Sequence, residues 1–322
     1  MITYVPDYYE KFRCIGSDCH DNCCIGWEID IDSETLTKYR SLSGEMGDEL
    51  RANITVSEDG SDCFALREND RCPFLNDRGL CRLILWGGED MLCEICSLHP
   101  RFREWFGGRC EMGIGLCCEE AARIIISETA PFGLHTLSSF DESCEELTEM
   151  QKKLLDIREE LFAMINTAES VSALDKSLLE HSAEAEYELT GNAPEAVCID
   201  FSEEYAEKAL SLIRSLEPLN DDWSRLTERL HAKAISPDSA DLAAHKNILS
   251  YFLFRYFMKS DSDGELFLKS ALAVFTTQVV QLISECTGMS LADSACIWSK
   301  ETEYSAENLD AVYDFLYDMH YA

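Results

Sequence analysis

The cysteines carry the plainest chemistry in this sequence. Cys14-x4-Cys19-x3-Cys23-Cys24 sets four thiols within eleven residues, and Cys72-x8-Cys81-x11-Cys93-x2-Cys96 adds four more. Thiolates are soft ligands that select zinc or iron–sulfur clusters, and both accept four sulfurs, so eight thiols suffice for one or two closed sites. Coordination number alone leaves the two metals open. An ordinary zinc ribbon uses two Cys-x2-Cys knuckles, and only Cys93-x2-Cys96 has that form here, which argues mildly against a ribbon. Adjacent side chains diverge in extended backbone, so Cys23-Cys24 and Cys117-Cys118 are each expected to offer one metal a single thiol. The alternative for every cysteine is a small buried hydrophobe, and that reading fits Cys144, Cys198, Cys286 and Cys296 best. His20 and His99 flank the thiols, where supporting or surface roles suit them better than ligation because the thiols already suffice.

Of the 16 cysteines in 322 residues, twelve precede residue 119, so a cysteine-rich module is followed by a separate body. The start, Met1-Ile2-Thr3-Tyr4-Val5-Pro6-Asp7, shows no basic and apolar leader, and the reading is a cytoplasmic chain whose thiols stay reduced. Metal is then a better account of the thiols than disulfides. The longest apolar stretch, Ser270 to Ile283, falls short of the ~20 residues of a membrane span, and no membrane partner is expected. Acidic residues outnumber basic ones 61 to 27, a net charge of −34. That field repels phosphate backbones and anionic lipid, which disfavours nucleic acid, and it suits a basic or lysine-bearing partner as well as plain solubility.

The elements that position these residues read as a mainly α fold, an irregular cysteine-rich metal-binding N-terminal module (1–125) packed on an all-helical C-terminal body (126–322). Apolar residues at three- and four-residue steps predict helices from Glu145 to Ile165, Ser202 to Leu216, Asp222 to Ala234, Ser239 to Met258, Gly264 to Thr287 and Ser305 to Tyr321. The polar segment 168–197 reads as a helix plus a loop, with a possible domain seam. In the module, Trp27, Ile29 and Ile31 alternate with acids and suggest a short strand, Ser33 could cap a helix through Tyr39, and Met91 to Leu98 suggests a turn or two of helix before Pro100.

Two runs carry a family resemblance. Phe12-Arg13-Cys14-Ile15-Gly16-Ser17-Asp18-Cys19-His20-Asp21-Asn22-Cys23-Cys24-Ile25-Gly26-Trp27-Glu28-Ile29-Asp30-Ile31-Asp32 resembles the opening signature of the flagellin lysine N-methylase family. Cys72-Pro73-Phe74-Leu75-Asn76-Asp77-Arg78-Gly79-Leu80-Cys81 with Cys93-Glu94-Ile95-Cys96-Ser97-Leu98-His99-Pro100-Arg101 is similar to its second, and to a broader zinc- or iron-chelating cysteine-rich family. Leu116 to Arg123 and Tyr251 to Phe257 resemble later landmarks. The resemblance implies methyl transfer from S-adenosylmethionine to flagellin lysines, or those of another protein, with a 4Fe-4S cluster held by the cysteines.

Trp27 and Arg101, inside the signatures, become candidate cofactor contacts: an aromatic wall for a methylsulfonium, and a cation for a carboxylate or an anionic cluster. Core packing and a surface ion pair are their alternatives. The radical S-adenosylmethionine motif, Cys-x3-Cys-x2-Cys, begins at Cys19 and Cys23 but meets Gly26 at its third thiol. Gly113-Ile114-Gly115 is the one glycine turn before a helix, and without β/α alternation it reads as a loop. A lysine amine must lose a proton before attack, for which Asp30, Asp32, Tyr4, Tyr8 and Tyr9 are eligible, though solvation or packing accounts for each of them singly. The competing function is a non-catalytic protein whose zinc or iron folds the module while the helical body binds a partner.

Overall fold

A computed structural model describes residues 1–20, 22–26, 28–57, 60–139, 145–200, 202–236 and 240–321. The chain forms two compact units, one of Arg13–Phe102 and one of Met1–Phe12 with Arg103–Ala322. This division differs from the boundary expected near residue 125, and strand pairing is the reason. Strand β1 (Ile2–Pro6) runs parallel to β5 (Arg109–Ile114), with Ile2 opposite Arg109, and antiparallel to β6 (Leu134–Ser139), with Pro6 opposite Leu134. Ladder bonds thereby tie the N-terminus to the larger unit.

In the smaller unit α1 (Ser33–Ser41) and α2 (Glu45–Ala52) precede the hairpin β2 (Ile54–Val56) and β3 (Asp62–Phe64), and the short helices α3 (Arg82–Gly87) and α4 (Glu94–Leu98) follow. The cap of α1 is Asp32 rather than Ser33, its Oδ1 accepting the Thr35 N–H at 2.8 Å. Ile29 and Ile31 are buried while Glu28 and Asp30 are exposed, so the expected alternation is present. It forms one isolated bridge, Asp30 to Cys63, rather than a strand. The core gathers Ile29, Leu36, Tyr39, Leu50, Phe64, Phe74 and Leu83 with Cys72 and Cys93. Phe64 packs on Tyr39 and Phe74 with ring centroids 6.0 and 5.1 Å apart, and the Tyr39 hydroxyl donates to Met91 O at 2.6 Å.

A four-stranded sheet in the order β4 (Arg101–Phe106), β5, β1, β6, of which Arg101 and Phe102 fall in the smaller unit, is joined in the larger unit by helices. These are α5 (Glu119–Ile126), α6 (Glu149–Thr167), α7 (Val171–Thr190), α8 (Glu203–Ser215), α9 (Asp221–Arg229), α10 (Leu242–Tyr256), α11 (Ser260–Asp263), α12 (Leu266–Thr287), α13 (Leu291–Glu303) and α14 (Ala306–Tyr321). The fold is mainly α, with β6 the one strand among the described residues placed where only helices are expected. Helix α12 is the centre. Apolar around nearly its whole circumference, it packs on α7, α10, α13 and α14 and ends where Gly288 turns left-handed at φ 76°. By length and composition α12 could cross a membrane, yet 94% of its most apolar window lies buried inside the protein.

The segment 168–197 is mostly α7, a core helix, and the units divide elsewhere. The polar residues that make it resemble a linker bond inward: Asp175 to His245, Ser182 to Ser270 at 2.7 Å, and Glu186 to the Phe267 N–H that opens α12 at 2.9 Å. Buried polar groups are tolerable when partnered in this way.

Arg158 of α6 is fully buried and grips Glu111 of β5 with both terminal nitrogens, at 2.8 and 2.5 Å, while Arg109 Nε adds a bond at 2.7 Å. Burial would raise the Glu111 pKa, but the two guanidiniums outweigh it and hold the carboxyl below its usual range. The stabilisation is therefore present above the unfolded carboxyl's pKa and lost as pH falls through the depressed folded value. We expect Arg158→Met to cost about 3–5 kcal/mol in urea denaturation, because Glu111 is left charged and buried, and Arg158→Met with Glu111→Leu to recover much of that loss. Equal losses in single and double variants would contradict the pairing.

Candidate metal centre

Three loops of the smaller unit carry the thiols, and side-chain amides lock the first two. Asn22 Oδ1 accepts the Cys24 N–H at 2.9 Å, while Asn22 Nδ2 donates to Gly79 O at 3.3 Å, tying the first cysteine loop to the turn before Cys81. Asn76 Oδ1 accepts the N–H groups of Arg78 and Leu80, shaping that turn, and Gly79 takes φ 71° there. The Cys72 N–H donates to Cys24 O at 2.9 Å, joining the first and second thiol blocks through the main chain. The third loop hangs on Asp32. Its Oδ2 accepts the Glu94 N–H at 2.8 Å while Oδ1 caps α1, so one carboxylate sets both α1 and the Cys93-to-Cys96 turn. Burial opposes charge on Asp32, but these N–H donors prevail and lower its pKa, which fits a cap rather than a proton acceptor.

Six thiols interact as a result. Cys24 is hydrogen-bonded to Cys23 and lies in the fields of Cys72 and Cys81. Cys96 is hydrogen-bonded to Cys93 and lies in the fields of Cys24 and Cys72. Sharing a proton with Cys23, then burial, then like charges push Cys24 far above an ordinary thiol, and the bond to Cys93 followed by the same two causes does so for Cys96. Cys93, which accepts the Cys96 proton, is lowered despite burial. Cys72 is pushed up to about 11, mainly by burial, with Cys81 and Cys93 adding repulsion. Adjacent Cys23 and Cys24 act as one hydrogen-bonded pair, against the expected divergence, because the chain turns at this point and is not extended.

Among the described residues, no three His, Cys, Asp or Glu side chains are set at coordinating positions, so the thiols form a cluster of neighbours rather than a closed shell. Their chemistry nonetheless fits a soft cation. Thiols that resist ionising in one another's company are the donor set whose repulsion a metal relieves, with release of protons. Cys72 and Cys93 belong to the unit's apolar core and Cys24, Cys81 and Cys96, partly buried, pack against it, which limits water around them.

The other expected site residues differ in exposure. Cys14 is exposed, Cys19 is half-buried at the end of a 3-10 turn, and Arg101 is half-buried at the start of β4. Trp27 lies outside the described residues. Gly113 and Ile114, read as loop, end strand β5, so a strand–turn–helix does lead into α5. That turn is filled from within: the Leu116 N–H donates to the Tyr251 hydroxyl at 3.2 Å. Tyr251 and Tyr256 donate in turn to Glu303, whose side chain is fully buried and paired with Arg255 Nε at 2.8 Å. Cys117, against the Tyr304 hydroxyl at 3.0 Å, is pushed up to about 12 by burial and then by Glu303. The 116–123 and 251–257 stretches thus meet over Glu303. No local pattern singles out that residue, one acid among 61.

Comparison with known proteins gives three relatives. Over 180 residues, 51% of the chain, it is 26% identical to the lysine-N-methylase of Salmonella choleraesuis and, to the same extent, to that of Salmonella typhimurium. Flagellar biosynthetic protein FliU of Salmonella muenchen is 28% identical over 149 residues, 42% of the chain and 83% of that protein. The resemblance to flagellin lysine N-methylases holds. The matched stretch is 42% of each methylase, so the chain spans less than half the length of those relatives. No family model and no solved structure matches.

Substitution of Cys72, Cys81, Cys93 or Cys96 by Ser is expected to remove most bound metal and to destabilise the smaller unit, whereas Cys14→Ser keeps both. Metal per chain, measured on anaerobically purified variants, checks this, and full loading in all four variants would refute the assignment.

Proposed function

We propose that this chain methylates lysine side chains on flagellin, using S-adenosylmethionine as methyl donor and an iron–sulfur cluster held by thiols drawn from Cys23, Cys24, Cys72, Cys81, Cys93 and Cys96. The observation that carries the reading is the coincidence of similarity to lysine N-methylases with six interacting thiols in the smaller unit, five of them in or against its core. Four thiolates satisfy a 4Fe-4S cluster and equally a structural zinc, which differ in that the cluster is redox-active and coloured. The net charge of −34 favours approach of a lysine-bearing segment. In the transfer the donor's sulfur–methyl bond breaks with its electron pair left on sulfur, and the lysine nitrogen forms the new bond with its own pair. The lysine must therefore arrive deprotonated or lose its proton on the protein.

The test is anaerobic incubation of metal-loaded protein with S-adenosylmethionine and purified flagellin, read by intact-mass and peptide mass spectrometry. Methyl-sized increments on lysines, dependent on both donor and protein, are expected. Unmodified flagellin with fully loaded protein would overturn the reading and leave a metal-folded binding module.

A further inference from the structure

Helix α14 turns an acidic, aromatic face to solvent. Val312, Leu316 and His320 are buried and seat the helix on the core, which leaves Asp310, Asp314, Tyr317 and Asp318 outward and exposed. The three aspartates follow one another at four-residue steps, and none forms an ion pair among the described residues. Like charges so spaced repel, and Asp318 stands in the last turn, where the helix dipole adds negative potential. No side chain of α14 offsets this, since the helix carries no lysine or arginine, alone among the described α-helices of eight residues or more.

Tyrosines run beside the acids. Tyr313, Tyr317 and Tyr321 also lie at four-residue steps, and Tyr317, 48% exposed, stacks on Tyr321 with ring centroids 5.0 Å apart. The Tyr321 hydroxyl donates to Glu186, which fixes that ring. At Tyr313 the chain itself shows what such a ring accepts: Lys269 Nζ lies 4.5 Å from its centroid, with Asp263 Oδ2 at 2.7 Å. An ammonium between a tyrosine face and a carboxylate is the arrangement that Tyr317 offers to solvent, with Asp314 one turn before it.

We propose that the outer face of α14 docks a lysine-bearing segment of a partner protein, its ammonium groups settling on Tyr317 and pairing with Asp310, Asp314 and Asp318. A second copy of this chain, at a net charge of −34, is the wrong occupant, because its field opposes approach. Use of the face to recruit a methyl acceptor rests on the lysine-methylation reading above, whereas the binding itself does not.

The test is fluorescence anisotropy at low ionic strength, titrating the full chain into a labelled peptide of four Gly-Ser-Lys repeats and into its Gly-Ser-Gln counterpart. Saturable binding of the lysine peptide alone is expected. Asp314→Asn with Asp318→Asn should weaken it about fivefold and Tyr317→Leu about threefold, while Tyr317→Phe, which keeps the ring, binds as wild type. Asp156→Asn with Glu159→Gln, which removes two exposed acids from α6, should also bind as wild type and so separates this face from the general acidity. No saturable binding, equal binding of the glutamine peptide, an α6 double variant as weak as the α14 one, or undiminished binding in both the aspartate pair and Tyr317→Leu would overturn the proposal. Binding localised to α14 while flagellin stays unmodified would support the face and sink the methylation reading. Methyl transfer with the same KM for flagellin in wild type and the α14 double variant would sink the recruiting role.

Discussion

Thiols crowded into one small apolar core repel one another once ionised, and the organisation of the smaller unit follows from that constraint. Cys23 with Cys24 and Cys93 with Cys96 relieve part of it by sharing protons, one sulfur of the second pair accepting while its partner stays protonated. Cys72, buried and flanked by Cys81 and Cys93, has no such relief. A core that concentrates like-charging groups is weakly stable alone and gains strongly from a cation in their midst, which couples metal binding to folding. Asn22, Asn76 and Asp32 matter for the same reason, since each replaces main-chain bonds that loops would otherwise lack and holds a cysteine turn against its neighbours.

The larger unit answers the burial of charge with internal partners. Arg158 meets Glu111, Arg255 meets Glu303, and His245 meets Asp175, each pair joining elements distant in sequence. Such pairs add little net stability over apolar residues, but breaking one leaves an uncompensated charge, so they hold the helices in one arrangement. The Glu303 network places two otherwise unrelated stretches, one opening α5 and one closing α10, around a single carboxylate.

Patterns local in sequence were legible. The spacing of the cysteines pointed to the two blocks whose thiols gather in the smaller unit, and three- and four-residue apolar steps located most of the long helices. Features that depend on remote partners were not. Gly113 and Ile114 read as a loop because β1, the strand that pairs with β5, lies about a hundred residues earlier, and the helix read within 168–197 gave no sign of its core position because Asp175, Ser182 and Glu186 find their partners on α10 and α12. Helix α13 went unread, and with it Glu303 at its end. The turn at Cys23–Cys24, where extended backbone would part the two side chains, and the two oxygens of Asp32, which accept the Thr35 and Glu94 N–H groups, likewise depend on contacts that no local pattern shows.

If the smaller unit's thiols jointly bind a soft metal centre, X-ray absorption at the metal edge of anaerobically purified protein will show a first shell made of sulfur alone, at about 2.3 Å, weakened or lost in Cys72→Ser and Cys93→Ser protein. A first shell of nitrogen and oxygen, or a sulfur shell indifferent to both substitutions, would contradict it.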